Sequence, residues 1–76
     1  MNNYRRKEIR RMIEKIEEIK ETIEYLRDEE QEYLDNMPEN LSYSSRAEAA
    51  QEAVDNIEYA LDNLEDAISN LEEAEM

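Results

Sequence analysis

The chain of 76 residues contains no cysteine, no histidine and no glycine, and it has a single proline. Without cysteine there is no disulfide framework, and the redox compartment cannot be inferred from cysteine usage. Without histidine or cysteine, the usual zinc ligands and the common nucleophilic and acid–base sites are excluded. Because glycine and proline mark most turns, their scarcity predicts a few long helices with one connection.

Long apolar runs are also missing, since no stretch approaches the roughly 20 apolar residues that span a bilayer. Residues 1–7 include three basic residues, Arg5, Arg6 and Lys7, but no apolar segment of a signal peptide follows them. There is no glycine-rich phosphate loop and no nucleophile motif. Di-iron bundles require Glu-x-x-His pairs, so the many carboxylates predict no metal site. We therefore expect a cytoplasmic protein that is not an enzyme, needs no cofactor or metal and binds no membrane.

The formal net charge is −13, and it is unevenly distributed along the chain. Residues 1–27 hold eight of the nine basic residues and six acids, whereas residues 28–76 hold one base and sixteen acids. A field of this sign repels DNA and RNA and attracts basic surfaces. We therefore expect a basic protein surface as partner and no direct binding of nucleic acid.

A seven-residue motif occurs three times in succession, beginning at Val54, Leu61 and Ile68. Each copy reads apolar, Asp or Ser, Asn, apolar, Glu, a variable residue and Ala. Apolar positions that are alternately three and four residues apart are typical of a helix that packs along another helix. We expect two sets of core residues here: Ala47, Val54, Leu61 and Ile68 in one, and Ala50, Ile57, Leu64 and Leu71 in the other.

The first half of the chain follows the same seven-residue period. It predicts a first helix over about residues 3–36, with Asn2 or Asn3 as N-cap. This helix ends before Pro38. Ser45 and Glu48 have the spacing of a capping box, so a second helix is expected over about 46–74, after a connector at 37–45. The first helix should contribute these core residues: Ile9, Ile16 and Ile23 at heptad position a; Met12, Ile19, Leu26 and Tyr33 at position d; and Ile13 and Leu34 beside them.

Two helices of matched length joined by a short connector predict an all-α fold, an antiparallel two-helix hairpin that forms a single domain over residues 1–76. Charge favours this pairing, because it brings a basic helix N-terminus beside an acidic helix C-terminus. Each cluster alone would oppose its own helix dipole, and each compensates the other when the helices are antiparallel. The clusters are Arg5, Arg6 and Lys7 at one terminus, and Glu72, Glu73 and Glu75 at the other.

A hairpin of this size has a thin core, and the sequence suggests how the core is enlarged. Small residues recur every seventh position beside the core of the second helix, which lets another helix approach closely. The alternative is that these alanines only favour helix formation on a solvent-exposed flank. We predict that the stripe is the interface of a homodimer that closes as a four-helix bundle. Its residues are Ala53, Ala60, Ala67 and Ala74.

The outer surface of the second helix is the candidate partner-binding site. The first helix can pair many of its acids with bases three or four residues away, whereas the second has no base after Arg46. Its carboxylates are either a solvated face or a binding face, and Tyr59 among them is either a partner contact or a cover for its own helix. The candidate residues are Glu58, Tyr59, Asp62, Glu65, Asp66, Glu72 and Glu73.

One specific form of this hypothesis is nucleic-acid mimicry. Thirteen net charges along a helix of about 45 Å give one charge per roughly 3.5 Å, close to the 3.4 Å per charge of a DNA strand. A rod of this charge density could occupy the basic groove of a DNA- or RNA-binding enzyme.

A resemblance to known proteins is carried by the stretch from Leu26 to Leu41, with its Asp-Asn-Met-Pro-Glu-Asn-Leu connector, and by the alanine-rich acidic heptads that follow. It resembles small uncharacterised acidic helical-hairpin proteins of bacteria and their phages and mobile elements. The resemblance implies no known activity and no site residues. By analogy of size, charge and setting, it suggests an inhibitor of host enzymes, such as an anti-CRISPR or other anti-defence factor.

Three functions follow as hypotheses. The first is a non-catalytic acidic inhibitor, DNA-mimic-like, that docks on a basic surface of a nucleic-acid-binding host protein. The alternative is a structural or assembly module that binds partner helices through its heptad seams and alanine stripe. A third is a scaffold or chaperone-like cap for a basic polypeptide, which shares the charge requirement but not competition with nucleic acid.

Overall fold

The structure is a computed structural model that describes all 76 residues. It contains helix α1 at Asn3–Asp35, a turn of 3₁₀ helix at Glu39–Leu41 and helix α2 at Ser45–Glu75. The two long helices pack against each other in antiparallel directions, which confirms the predicted all-α helical hairpin. The hairpin measures 59 × 15 × 12 Å, because two helices side by side form a rod rather than a globule.

Both ends of α1 are capped by asparagine. The Asn2 side-chain oxygen accepts a hydrogen bond from the Arg5 backbone N–H at 2.8 Å, and the Asn36 backbone N–H donates to the Glu32 carbonyl at 3.0 Å. Pro38 follows in an extended conformation and cannot continue the helix. The connector then turns through the short 3₁₀ helix without any residue at positive φ, which explains why the chain needs no glycine here.

The N-cap of α2 is Ser44, one residue earlier than the capping-box pattern predicted. The Ser44 Oγ accepts a hydrogen bond from the Ala47 backbone N–H at 3.2 Å, and the helix begins at Ser45. Glu48 therefore lies one position too far along the helix to return the reciprocal bond of a capping box. The prediction that Ser45 is the cap is wrong, because a hydroxyl at the preceding position fills the same role.

We expect Ser44→Ala to lower the free energy of unfolding by about 1 kcal/mol, since it leaves the first-turn N–H of Ala47 without its side-chain acceptor. Ser45→Ala is the matched control and should change the stability by less than about 0.5 kcal/mol. Urea denaturation followed by circular dichroism measures both. A larger loss for Ser45→Ala than for Ser44→Ala would contradict this assignment of the cap.

The core of the hairpin is small and belongs to one helix. Only five residues are buried, and all lie on α2: Ala47, Ala50, Val54, Leu61 and Ile68. The first predicted core set of α2 is thereby confirmed. In the second set Ala50 is buried, and Ile57, Leu64 and Leu71 are half-buried.

Helix α1 is rotated relative to the sequence-based prediction. It directs positions a and e toward α2, where Ile9, Ile13, Ile16, Ile23 and Leu34 are half-buried. The predicted d residues remain exposed: 38% for Met12, 53% for Ile19, 51% for Leu26 and 46% for Tyr33. Their assignment to the hairpin core is wrong. The apolar stripe of α1 is wider than one partner helix can cover, so one edge of it stays outside.

The charged ends of the two helices meet as predicted, through a smaller set of residues. Arg6 Nε donates to the Glu75 backbone carbonyl at 2.9 Å, and Arg10 Nε donates to the Glu75 carboxylate at 3.0 Å. Glu75 thus joins the C-terminus of α2 to the first turns of α1. The other charges of the two clusters form no ion pair: Arg5, Lys7, Glu72 and Glu73.

Candidate functional site

The two sides of the hairpin differ in chemistry, and α2 shows the division most clearly. With Val54 at heptad position a, every acid of α2 except Glu75 lies at position b, e or f. Positions c, d and g from Ala47 to Ala74 hold only Ala, Asn, Ile and Leu. Because these two groups of positions occupy opposite sides of a helix, α2 has one acidic side and one uncharged side.

We call the part of this acidic side that runs from Glu58 to Glu73 the acidic face. All seven residues predicted to bind a partner lie on it, and all are exposed: Glu58, Tyr59, Asp62, Glu65, Asp66, Glu72 and Glu73. The helix brings them onto one continuous surface because their positions span about 100° of its circumference. Tyr59 is 65% exposed, so it does not fold away into the hairpin.

A groove of about 470 Å³ between the helices extends this charge onto α1. Its only cation is Lys20, which forms an ion pair with Glu65 across the hairpin and lies 3.9 Å from Glu24 on its own helix. Glu65 is therefore partly neutralised, unlike its neighbours on the acidic face. The groove is lined by Glu14, Glu17, Glu18, Lys20, Glu21, Glu24, Glu65 and Ile68.

The hydrogen bond from Lys20 to Glu65 raises the pKa of Lys20 above its usual 10.5, with smaller contributions from Glu65, Glu24 and Glu17 as nearby charges. Because the folded-state pKa is raised, this contact contributes fully to stability below pH 10.5 and is lost only as the pH rises through the raised pKa. Lys20 therefore remains a cation throughout the neutral range.

Most carboxylates of the chain have no cationic partner. The five ion pairs involve five of the 22 acidic residues: Glu8, Glu24, Asp28, Glu65 and Glu75. The expectation that α1 neutralises its own acids is wrong for Glu14, Glu17, Glu18 and Glu21. The sequence did not lead us to predict that these four acids of α1 extend the acidic side of α2. Their heptad positions, c, b and f, place them near Lys20 and could have indicated it.

The opposite side of the hairpin is the apolar face. It combines the exposed d residues of α1, Met12, Ile19, Leu26 and Tyr33, with the half-buried Ile57, Leu64 and Leu71 and the alanine stripe of α2. A groove on this side is lined by residues of both helices, namely Leu26, Glu29, Glu30 and Tyr33 of α1 and Ile57 of α2. Of the predicted interface residues, Ala53, Ala60 and Ala67 are half-buried and Ala74 is exposed.

A third concavity of about 520 Å³ lies at the connector end, where Tyr33, Met37, Pro38 and Leu41 surround the start of α2 near Arg46. Arg46 forms no ion pair there.

No group of three or more acidic side chains is arranged to hold a metal ion. Neither α1 nor α2 combines the length and the hydropathy that crossing a membrane requires.

Comparisons of the chain with protein-family models, with curated proteins and with solved structures give no significant match.

Proposed function

We propose that this chain is a non-catalytic binding protein that docks its acidic face on a basic surface of a nucleic-acid-binding protein. One observation carries the proposal: the acidic face and the adjoining groove together present eleven carboxylates and a single cation, Lys20. Uncompensated like charges destabilise an isolated helix, so their concentration on one side is better explained by a partner of opposite charge.

The charge density of the hairpin supports local complementarity rather than a copy of a DNA strand. A length of 59 Å gives one net charge per about 4.5 Å, sparser than the 3.4 Å per charge of a single strand. The 45 Å expected from the sequence was too short, because the connector adds to the length of the helices. The proposed docking therefore relies on the concentration of charge on one side.

The proposal is tested by capture from a bacterial lysate at low salt. The wild-type chain and a variant with Asp62→Lys, Glu65→Lys and Asp66→Lys serve as matched baits. We expect a nucleic-acid-binding protein that only the wild type retains and that moderate salt releases, since exposed charge pairs are screened. The purified partner should then lose a fluorescent DNA or RNA probe when the wild-type chain is added. Capture by both baits, or binding without displacement of the probe, would contradict the proposal.

Removal of the only cation in the groove should strengthen binding. We expect Lys20→Gln to raise the affinity for the captured partner by a few-fold, because it frees Glu65 and makes the groove more negative. Isothermal titration at two salt concentrations measures the change, and the gain should shrink at the higher one. Lys15→Gln removes the same charge outside the groove and is the control. An equal gain for both variants would indicate a general effect of net charge.

A second candidate function rests on the apolar face, whose exposed d residues are a surface that helices of another protein could cover. In an assembly module of this kind, changes on the apolar face abolish partner binding and changes on the acidic face have no effect. The two lysate baits separate these functions, because both baits would capture the partner of an assembly module equally well.

A further inference from the structure

We propose that the apolar face is the contact surface between two copies of this chain, which pack with their connectors at opposite ends of a four-helix bundle. The inference goes beyond the proposed function and does not depend on it, because the acidic face lies on the other side of the hairpin.

The accessible area of the hairpin is the first argument. The hairpin exposes 6021 Å², whereas a compact protein of 9.1 kDa exposes about 4,900 Å². The excess of about 1,100 Å² matches what one partner buries in a stable protein–protein interface, typically 800 Å² or more. Since only five residues are buried in the single hairpin, a second copy would supply the missing part of the core.

The composition of α2 is the second argument. In a chain with 41% charged residues, a helix side with no charge along about seven turns is unexpected for a surface in water. Apolar and small residues at these positions instead fit the inside of a bundle, where alanine lets two helices approach closely. Asn56, Asn63 and Asn70 border this side and can form hydrogen bonds across the interface without introducing charge.

The register of the hairpin is the third argument. The Arg10–Glu75 and Lys20–Glu65 pairs fix which residues of α1 and α2 lie level with each other. On that register, the apolar stripe of α1 is centred near residue 22 and the alanine stripe of α2 near residue 63, at the same level. One two-fold axis can therefore pass through both centres, as a symmetric dimer requires. Residue 22 of one copy then lies near residue 22 of the other.

Charge complementarity determines the orientation. With connectors at opposite ends, Lys15 at the edge of the apolar face lies opposite Glu29 of the second copy, and neither has an ion-pair partner within the hairpin. The connector end of the hairpin, residues 28–52, carries eight acids and one base. The opposite end, residues 1–15 and 64–76, carries seven acids and six bases. Connectors at the same end would place net charges of −7 side by side. The opposite orientation places −7 beside −1.

The mass in solution is the first test. Light scattering coupled to gel filtration should give twice 9.1 kDa for the wild type at micromolar concentration. Ala60→Glu should raise the dissociation constant about a hundredfold or more, because it places a carboxylate against the second copy. Ser69→Glu adds the same charge on the acidic side of α2 and should leave the mass unchanged. A wild-type chain that is monomeric at every concentration would overturn the inference.

A crosslink tests the orientation without relying on a destabilised variant. The chain has no cysteine, so a disulfide in Asn63→Cys can form only between copies. With connectors at opposite ends, the two residues at position 63 lie beside the two-fold axis, within the roughly 4.4–6.8 Å between Cα atoms that a disulfide needs. We expect most of the chain to crosslink under mild oxidation. Ser69→Cys, on the outer side, is the control.

Crosslinking of Ser69→Cys but not of Asn63→Cys would overturn the proposed dimer, as would a dimeric mass without an Asn63→Cys crosslink. The latter result would instead place the connectors at the same end, where the two α2 helices lie on the diagonal of the bundle. Failure of these tests leaves the binding of the acidic face unaffected, because the lysate baits carry no change on the apolar face.

Discussion

Replacement of Leu61 by alanine is expected to lower the free energy of unfolding by about 2–4 kcal/mol. Leu61 is 6% exposed and is the only leucine in a core of five buried residues. A chain of this length has a total stability of roughly 4–11 kcal/mol, so this single change should remove a large part of it. Urea denaturation followed by circular dichroism at 222 nm measures the loss.

The matched control is Leu26→Ala, which deletes the same atoms from a residue that is 51% exposed. In dilute solution, where single hairpins prevail, it should cost less than about 1 kcal/mol. The cost should increase with chain concentration if two copies cover Leu26, because association stabilises the folded state by mass action. Equal losses for the two variants in dilute solution would contradict the core assignment.

The triple change Asp62→Lys, Glu65→Lys and Asp66→Lys is expected to weaken binding to a basic partner by about a hundredfold or more at 0.1 M salt. It reverses six units of charge at the centre of the acidic face and leaves no carboxylate between Glu58 and Glu72. Like charges then face each other across the interface, so the association rate constant should change more than the dissociation rate constant. Surface plasmon resonance over a range of salt concentrations measures both rates.

A variant with the same charge change in another place separates position from net charge. Asp35→Lys, Glu39→Lys and Glu48→Lys alter the connector end, and the chain keeps its acidic face. We expect this control to retain most of the affinity, and both variants to keep the helical circular dichroism of the wild type. Equal weakening by the two triple variants would show that only net charge matters, and the acidic face would then not be a site.

The two proposals are compatible because the surfaces they use lie on opposite sides of the hairpin. A dimer that buries both apolar faces leaves both acidic faces outside. With the two copies in register, its charge would amount to one per about 2.3 Å, between the 3.4 Å of a single strand and the 1.7 Å of duplex DNA. Dimerisation would thus bring the molecule into the range of nucleic acid, which the single hairpin does not reach.

Local signals in the sequence were sufficient for the helices and for their pairing. The heptad that begins at Val54 predicted the buried residues of α2, and Pro38 marked the connector. The position of the N-cap could not be resolved, since Ser44 and Ser45 are chemically equal and only the backbone geometry selects between them. Likewise, the ion pairs of α1 depended on the side-chain positions around Lys20, because Glu65 of the other helix competes for the same cation.

The sequence by itself determined the fold class, the antiparallel pairing and the uncharged side of α2, because helical periodicity converts residue spacing directly into faces. The tertiary structure decided the rotation of α1, which turns Ile13 and Leu34 inward and leaves Met12, Ile19, Leu26 and Tyr33 outside. Periodicity describes a stripe about 100° wide or more, and a single partner helix covers only part of it. Which part is covered depends on the shapes of both helices where they meet.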